Sequence, residues 1–148
     1  YGWGAELAEI QLLTKLLNLG NVHFYPPVPK EQLAQLMPTF DLGVVTFAQF
    51  EVLEANSANK FYDYLAAGLP VVLNYEGWQA EYLTHWQCGL SAPMGNEDAF
   101  TDSLRRLIAD APLRQSMRPR ARQLAEVHFS RELLARQVLE VLASQAFE

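Results

Sequence analysis

The feature that most constrains the fold is an alternation of short apolar runs with segments of helical periodicity. The run at residues 41–46, Asp-Leu-Gly-Val-Val-Thr, is typical of a parallel strand that is covered on both faces. Residues 59–67 then fit a helix, and Gly68 and Pro70 end it just before a second apolar run at residues 71–73. This alternation predicts an α/β fold, with a Rossmann-like parallel sheet flanked by helices.

The same alternation continues on both sides of this unit. Gly20 is placed to end a first helix in a left-handed conformation, which glycine adopts without strain. Further helices are predicted at 6–19, 31–37 and 79–86, and further strands at 22–25 and 89–91.

The C-terminal third lacks strand patterns. Asn96 or Asp98 can cap its first helix and Ser130 its last, since their side-chain oxygens accept hydrogen bonds from free amides. Pro119 is expected to kink the segment around it. We therefore expect a mainly helical part at 96–148, within one domain that covers the whole chain.

Composition excludes several classes of function. A formal net charge of −6 over 148 residues provides no overall basic field, so nucleic acid is not an expected partner. Cys88 is the only cysteine, which excludes an internal disulfide framework and a multi-cysteine metal site and fits a cytoplasmic protein. No apolar run approaches the roughly 20 residues that cross a bilayer.

Chemistry-bearing residues gather where the loop after the run at 41–46 meets the next helix. Ligands of such sheets bind outside the carboxyl ends of the strands, and this helix start carries Asn56, Ser57, Asn59 and Lys60. Backbone amides, the positive end of the helix dipole and an ammonium group would form a diphosphate site in an acidic protein. Ordinary N-capping beside a solvated lysine is the alternative.

Asp63 follows Lys60 by three residues, which places both side chains on one face of the helix. Its carboxylate could accept two hydrogen bonds from a ribose diol. A surface ion pair with Lys60 would explain the same spacing.

A resemblance to a known family is carried by NKFYDYLAAGLPVV, residues 59–72. This segment is similar to the donor-site signature of the family 4 (group 1) retaining glycosyltransferases, which have the two-domain GT-B architecture. The similarity includes NVHFYPPVPKEQLAQLMPTFDLGVV before it and GLPVVLNYEGWQAEYL, CGL and RRLIAD after it. The resemblance implies that residues 1–148 form an incomplete nucleotide-sugar-binding domain, without the acceptor domain and the first strands.

The resemblance also implies roles for single residues. Asp63 matches the second acid of the family's paired-glutamate pattern, which binds the ribose hydroxyls. The first glutamate of that pattern would fall at Ala55, and Glu54 is adjacent to it. The donor-binding candidates are Glu54, Asn56, Ser57, Ala58, Asn59, Lys60 and Asp63.

The loop from Tyr25 to Lys30 matches the region that lies over the nucleotide base in relatives. Its base-loop candidates are Tyr25, Pro26 and Lys30, with a rigid proline-rich turn as the alternative. Relatives also neutralise the diphosphate with an arginine and a lysine early in this domain, and neither matching position is present here.

The implied activity is transfer of a sugar from a UDP-, GDP- or ADP-sugar to a glycan, lipid-linked or small-molecule acceptor, as in polysaccharide biosynthesis. The product would retain the donor's anomeric configuration, because the acceptor hydroxyl attacks from the side of the leaving group. No cofactor, metal or protein nucleophile is implied, so the catalytic residues stay unassigned. The acceptor would be held by an N-terminal domain of the same protein, and the isolated piece is expected to be inactive.

Two other functions fit the same fold. One is a nucleotide-sugar epimerase, and the other is a non-catalytic domain that binds nucleotide or protein through the same cleft. Eight of the eleven basic residues lie from Arg105 onward, which leaves open a peripheral contact with the inner face of the membrane. We favour a solvated helix face for these residues.

The stripe formed by Trp78, Tyr82 and Trp86 has two readings. Spacing of four residues fits a sugar-stacking rim or a core stripe, and we favour the core. We interpret the three histidines as surface or packing residues, and Cys88 as a small core residue.

Overall fold

A computed structural model describes residues 1–50 and 57–145. Contacts divide the chain into two compact units, Tyr1–Leu36 and Met37–Glu148, and each is described by itself. The expectation of a single domain therefore stays a prediction.

The first unit contains helices α1, Leu7–Leu16, and α2, Lys30–Leu36. α1 ends three residues before the predicted boundary, because Asn18 rather than Gly20 takes the left-handed conformation, with φ of 51°. The strand predicted at 22–25 is wrong, since no strand lies beside it among the described residues to complete a ladder. This segment is instead held by the Gly2 amide, which donates to the Tyr25 carbonyl at 3.0 Å.

The second unit is built on a parallel sheet. Its strands, in both chain order and spatial order, are β1, Gly43–Val45, β2, Val71–Leu73, and β3, Gly89–Ser91. In the register, Val44 lies beside Val72, and Val72 beside Leu90. The Rossmann-like parallel sheet predicted from the sequence is confirmed, although β1 occupies only the middle of the predicted run.

Helices surround this sheet at positions close to those predicted. Gly68 ends the first of them with φ of 68°, and the Asn96 side chain caps another by accepting from the Ala99 amide at 3.0 Å. The Ser130 hydroxyl accepts from the Leu133 amide at 3.2 Å and caps the last. The helices are α3, Asn59–Ala66, α4, Trp78–Trp86, α5, Glu97–Ala109, α6, Ala111–His128, and α7, Arg131–Gln145, with a short 3₁₀ turn at Met37–Thr39.

The two faces of the sheet carry different hydrophobic clusters. Because side chains alternate along a strand, Val71 and Leu73 face one side of β2 and Val72 faces the other. Val71 and Leu73 pack in the cluster that includes Phe61 of α3 and Leu83 of α4. On the other side, Val72 packs with Leu107 of α5 and with Met117. The strands are thus covered on both faces, as their continuous apolar sequence predicts.

α6 contributes to both clusters. Met117, in its first half, belongs to the α5 side, whereas Ala121 and Leu124, in its second half, belong to the side of α3 and α4. The helix continues through Pro119, and the kink expected there stays a prediction. α6 therefore passes from one face of the sheet to the other.

Arginines of α6 bind backbone carbonyls along this path. Arg118 donates to the carbonyls of Pro38 and Phe40, both at 2.8 Å, just before β1. Arg122 donates to the Ala66 carbonyl at the end of α3, and Arg120 to the Gln87 carbonyl just before β3. These carbonyls all lie on segments that lead into strands, so the arginines line the edge where the strands begin.

Candidate functional site

At the opposite edge, where the strands end, the side chain of Asn74 connects the segments that follow β1 and β2. Asn74, directly after β2, accepts from the Phe47 amide at 2.8 Å and donates to the Phe47 carbonyl at 2.9 Å. The Phe47 ring also packs on Tyr75, with 4.8 Å between the ring centroids. These contacts fix the start of the loop that leads to α3, and sequence reasoning did not single out Asn74.

α3 begins at this edge without a side-chain cap. The N-cap residue is Ala58, which is extended with φ of −66° and ψ of 118° and cannot supply a capping oxygen. The amides of Asn59 and Lys60, at the first two helical positions, have no carbonyl within the helix to bind. Both side chains are exposed, and the first turn contains no acidic residue. This helix start combines free donors with a positive charge.

Ser57 was a candidate N-cap, and its hydroxyl has a different partner. It lies 2.6 Å from the Tyr62 hydroxyl, one turn into α3. Tyr62 packs against three other rings, with centroid distances of 5.6 Å to Phe61, 6.4 Å to Trp78 and 5.1 Å to Phe129. The residue that precedes the cap is therefore tied to a packed aromatic cluster.

Asp63 is half-buried on α3, one turn after Lys60. Its neighbour Tyr64 is packed against β1, where its ring occupies the space that a Cβ on Gly43 would need. Burial raises the pKa of the Tyr64 phenol, and the Asp63 carboxylate raises it further. The helix therefore lies close to the strand at Tyr64.

The predicted site residues fall into three groups. Ser57, Ala58, Asn59, Lys60 and Asp63 are brought together at the start of α3. Glu54 and Asn56 lie outside the described residues, as does Ala55. Tyr25, Pro26 and Lys30 belong to the first unit, which is described separately.

Two comparisons with known proteins bear on this geometry. The sequence profile of the family described as "Glycosyl transferases group 1" matches residues 1–124, most of the chain. The chain belongs to the group 1 glycosyltransferase family. None of the curated proteins compared with it is significantly similar.

Solved structures agree with the fold of this glycosyltransferase domain. Sucrose-phosphate synthase from Thermosynechococcus elongatus is 22% identical, with a TM-score of 0.76 over 96% of this chain and 35% of the other. WaaG, a glycosyltransferase involved in lipopolysaccharide biosynthesis, is 25% identical, with a TM-score of 0.65 over 82% of this chain and 32% of the other. This domain spans about a third of the length of either structure. The expected GT-B glycosyltransferase fold, with its helical C-terminal part, is confirmed.

The N-terminus of α5, at the same edge of the glycosyltransferase domain, carries negative charge where that of α3 carries positive charge. α5 is capped by Asn96 and has Glu97 and Asp98 in its first turn. Beside it lies a cavity of about 260 Å³, bordered by Gln49, Asn74 and Phe100 among others. Carboxylates at a helix N-terminus already neutralise the positive end of its dipole, so this start disfavours anions. Sequence reasoning did not find the cavity.

The aromatic stripe of α4 belongs to the packing of the domain. Trp78, Tyr82 and Trp86 are all half-buried, and their rings contact Phe129 or His128 at the end of α6. The core interpretation of this stripe agrees with these contacts.

Neither a reactive cysteine nor a cluster of metal ligands is found in the described residues. Cys88 is buried, and desolvation raises the pKa of its thiol to about 12, which keeps it protonated. Among residues 1–50 and 57–145, no three His, Cys, Asp or Glu side chains are placed to share a metal ion. The helices in the same ranges include none that is both long and apolar enough to span a bilayer.

Proposed function

We propose that this chain is most of the donor-binding domain of a retaining glycosyltransferase that takes its sugar from a UDP-, GDP- or ADP-sugar. The observation that carries the proposal is the start of α3 at the carboxyl edge of the sheet, with Lys60 and Asp63 beside its free amides. The diphosphate lies against the amides and the ammonium group, and the ribose diol binds Asp63.

Charge supports α3 rather than α5 as the diphosphate site. A protein of net charge −6 repels a diphosphate unless a local group attracts it. The start of α3 has Lys60 and no acid in its first turn, while the start of α5 has two acids. Of these two helix starts, α3 is therefore the one where the dipole and a lysine act together.

The half-buried position of Asp63 supports its role with the ribose. A carboxylate that is partly shielded from water makes stronger hydrogen bonds to hydroxyl groups than one in bulk solvent. Aspartate is one methylene shorter than the glutamate usual in relatives, so the ribose lies closer to the α3 backbone or is reached through a water molecule.

Cleavage of the sugar–phosphate bond leaves charge on the nucleoside diphosphate, and the start of α3 stabilises this charge without a metal or cofactor. The acceptor hydroxyl attacks from the side of the leaving group, so the anomeric configuration is retained. An N-terminal domain of the same protein supplies the acceptor.

We assign the protein to the cytoplasm. The basic residues from Arg105 onward left open a contact with the membrane. Among them, Arg118, Arg120 and Arg122 each donate to a backbone carbonyl. They therefore give little support to a contact with anionic lipid.

Calorimetry on the full-length protein with UDP, GDP and ADP tests the donor site. We expect Asp63→Ala to bind the preferred nucleotide at least about tenfold more weakly, or 1.4 kcal/mol. Asp102→Ala removes an exposed carboxylate of α5 that pairs with Arg105 in the same helix, and it should bind like wild type. Unchanged affinity in Asp63→Ala would remove Asp63 from the site.

The reaction itself distinguishes the alternatives. NMR of the product of the full-length protein should show the anomeric configuration of the donor. Conversion of the nucleotide sugar without any acceptor would instead indicate an epimerase, and nucleotide binding without turnover would indicate a binding domain.

A further inference from the structure

The contacts before α3 assign a role to a residue outside the predicted donor site. We infer that Tyr62 is a positioning residue, whose hydroxyl holds Ser57 and thereby aims the first amides of α3 at the diphosphate. This inference rests on the proposed function.

Ser57 and Tyr62 occupy the two positions that control how a chain enters a helix. With Ala58 as the N-cap, Ser57 is the residue before the cap and Tyr62 is the fourth helical residue. Apolar side chains at this pair of positions often pack together and fix the direction of the chain. Here a hydrogen bond of 2.6 Å between the two hydroxyls takes that place.

The bond lies next to a helix start whose N-cap residue makes no side-chain hydrogen bond. Ala58 cannot cap, so no side-chain oxygen at the N-cap fixes the conformation of the first turn. Phe47 and Asn74 hold the beginning of the loop after β1. The described end of that loop is held by Ser57 and Tyr62.

Tyr62 can act as an anchor because its ring is packed against other rings. Edge-to-face contacts with Phe61 and Phe129, at 5.6 and 5.1 Å, place it between α3 and the end of α6, where Phe61 is fully buried. A hydroxyl on a fixed ring holds Ser57 in one orientation. Ser57 in turn sets the direction in which the chain enters α3, and with it the direction of the Asn59 and Lys60 amides.

Removal of the Tyr62 hydroxyl alone tests the inference, because Tyr62→Phe keeps the ring packing. A typical net hydrogen bond corresponds to about a threefold to tenfold change in an equilibrium constant. We expect Tyr62→Phe in the full-length protein to bind the preferred nucleoside diphosphate about threefold more weakly. Binding of the corresponding nucleoside, which lacks phosphates, should not change.

Tyr82→Phe is the matched control. Tyr82 lies in the same aromatic cluster, 5.3 Å from Phe129, and no hydrogen bond to its hydroxyl is found among the described residues. This variant should bind both ligands like wild type. If Ser57 and Tyr62 act through their shared bond, adding Tyr62→Phe to Ser57→Ala should cause no further loss of affinity.

The outcomes separate this inference from the proposed function. No binding of UDP, GDP or ADP to wild type would overturn both. Weaker binding in Asp63→Ala together with wild-type affinity in Tyr62→Phe would overturn the role of Tyr62 alone. Equal losses for nucleoside and nucleoside diphosphate in Tyr62→Phe would also overturn it, because a purely structural defect has no preference for phosphate.

Discussion

The cationic side chains of this domain have two distinct uses. Arg118 and Arg122 donate to backbone carbonyls at the edge where the strands begin. Lys60 is exposed at the opposite edge, beside free amides. Composition could not separate these uses, because an arginine-rich helix has the same sequence whether its charges bind carbonyls or lipid.

Lys60→Ala should weaken binding of the nucleoside diphosphate. A cation near a bound anion at an exposed helix end contributes about 0.3–1 kcal/mol, which corresponds to a loss of about twofold to fivefold. The loss measured by calorimetry should shrink as salt is added, because ions screen exposed charges. Lys60→Arg keeps the charge and should lose less. An effect that does not depend on salt would argue against a direct electrostatic role.

Arg118→Ala should destabilise the fold. Two carbonyls just before β1, those of Pro38 and Phe40, lose a charged donor, and we expect a cost of about 1–2 kcal/mol in the free energy of unfolding. Urea denaturation measures this difference. Arg105→Ala breaks only an exposed pair with Asp102 and should fall within about 0.5 kcal/mol of wild type. Equal effects of the two substitutions would contradict the role of Arg118.

At the scale of helices and strands, the predictions that rested on short stretches of consecutive residues were the most accurate. α3 and α4 begin and end within a residue of the prediction, because Gly68 and the apolar periodicity are local signals. Residues 22–25 have the composition of a strand and form none, since a strand also needs a partner and sequence alone does not supply one. The hydrogen bonds between Asn74 and Phe47 were missed for the same reason, because the two residues are 27 positions apart in the sequence.

Of the candidate site, the sequence predicted only those features that depend on residues close together in the chain. Lys60 and Asp63 share a helix face by spacing alone, so their proximity could be anticipated. The bond between Ser57 and Tyr62 depends on the side-chain orientation at the cap, which the cap preferences of serine did not reveal.

Gly43 determines how closely α3 approaches β1. A Cβ at this position would overlap the Tyr64 ring, so Gly43→Ala must displace the helix or the ring. We expect a loss of about 1–3 kcal/mol in the free energy of unfolding, and weaker nucleotide binding, because the displaced helix carries the proposed donor site. Denaturation and calorimetry measure the two effects.

Gly20→Ala is the control for this substitution. Its Cβ would meet no atom within 4 Å and Gly20 is not left-handed, so this variant should be neutral or slightly more stable. A Gly43→Ala variant as stable as Gly20→Ala would show that the helix is not tightly packed against the strand.

At the scale of the whole molecule, buried ionisable groups set a limit on alkaline stability. Burial raises the pKa of the Tyr75 phenol to about 12, and that of the Cys88 thiol to about 12. Both groups bind their proton more tightly in the folded state than in the unfolded state. The stability they contribute is present below their ordinary values of 10.0 and 9.0, and it is lost as the pH rises toward 12.

The midpoint of thermal unfolding should therefore fall between pH 9 and pH 12. Cys88→Ala should reduce the slope of this fall, because the substitution removes one of the two titrating groups. A slope unchanged from wild type would mean that the thiol is accessible to solvent. Slow alkylation of native Cys88 by iodoacetamide at pH 9, compared with fast alkylation in urea, gives an independent measurement.

The passage of α6 from one side of the sheet to the other makes the two halves of the interior mutually dependent. Detachment of this single helix uncovers Val72 on one side and Leu73 on the other at the same time. Amides of α3 and of α5 should then exchange with deuterium at a common rate, although these two helices lie on opposite sides of the sheet. By this arrangement α6 supports both α3, which carries the proposed donor site, and α5 on the other side of the sheet.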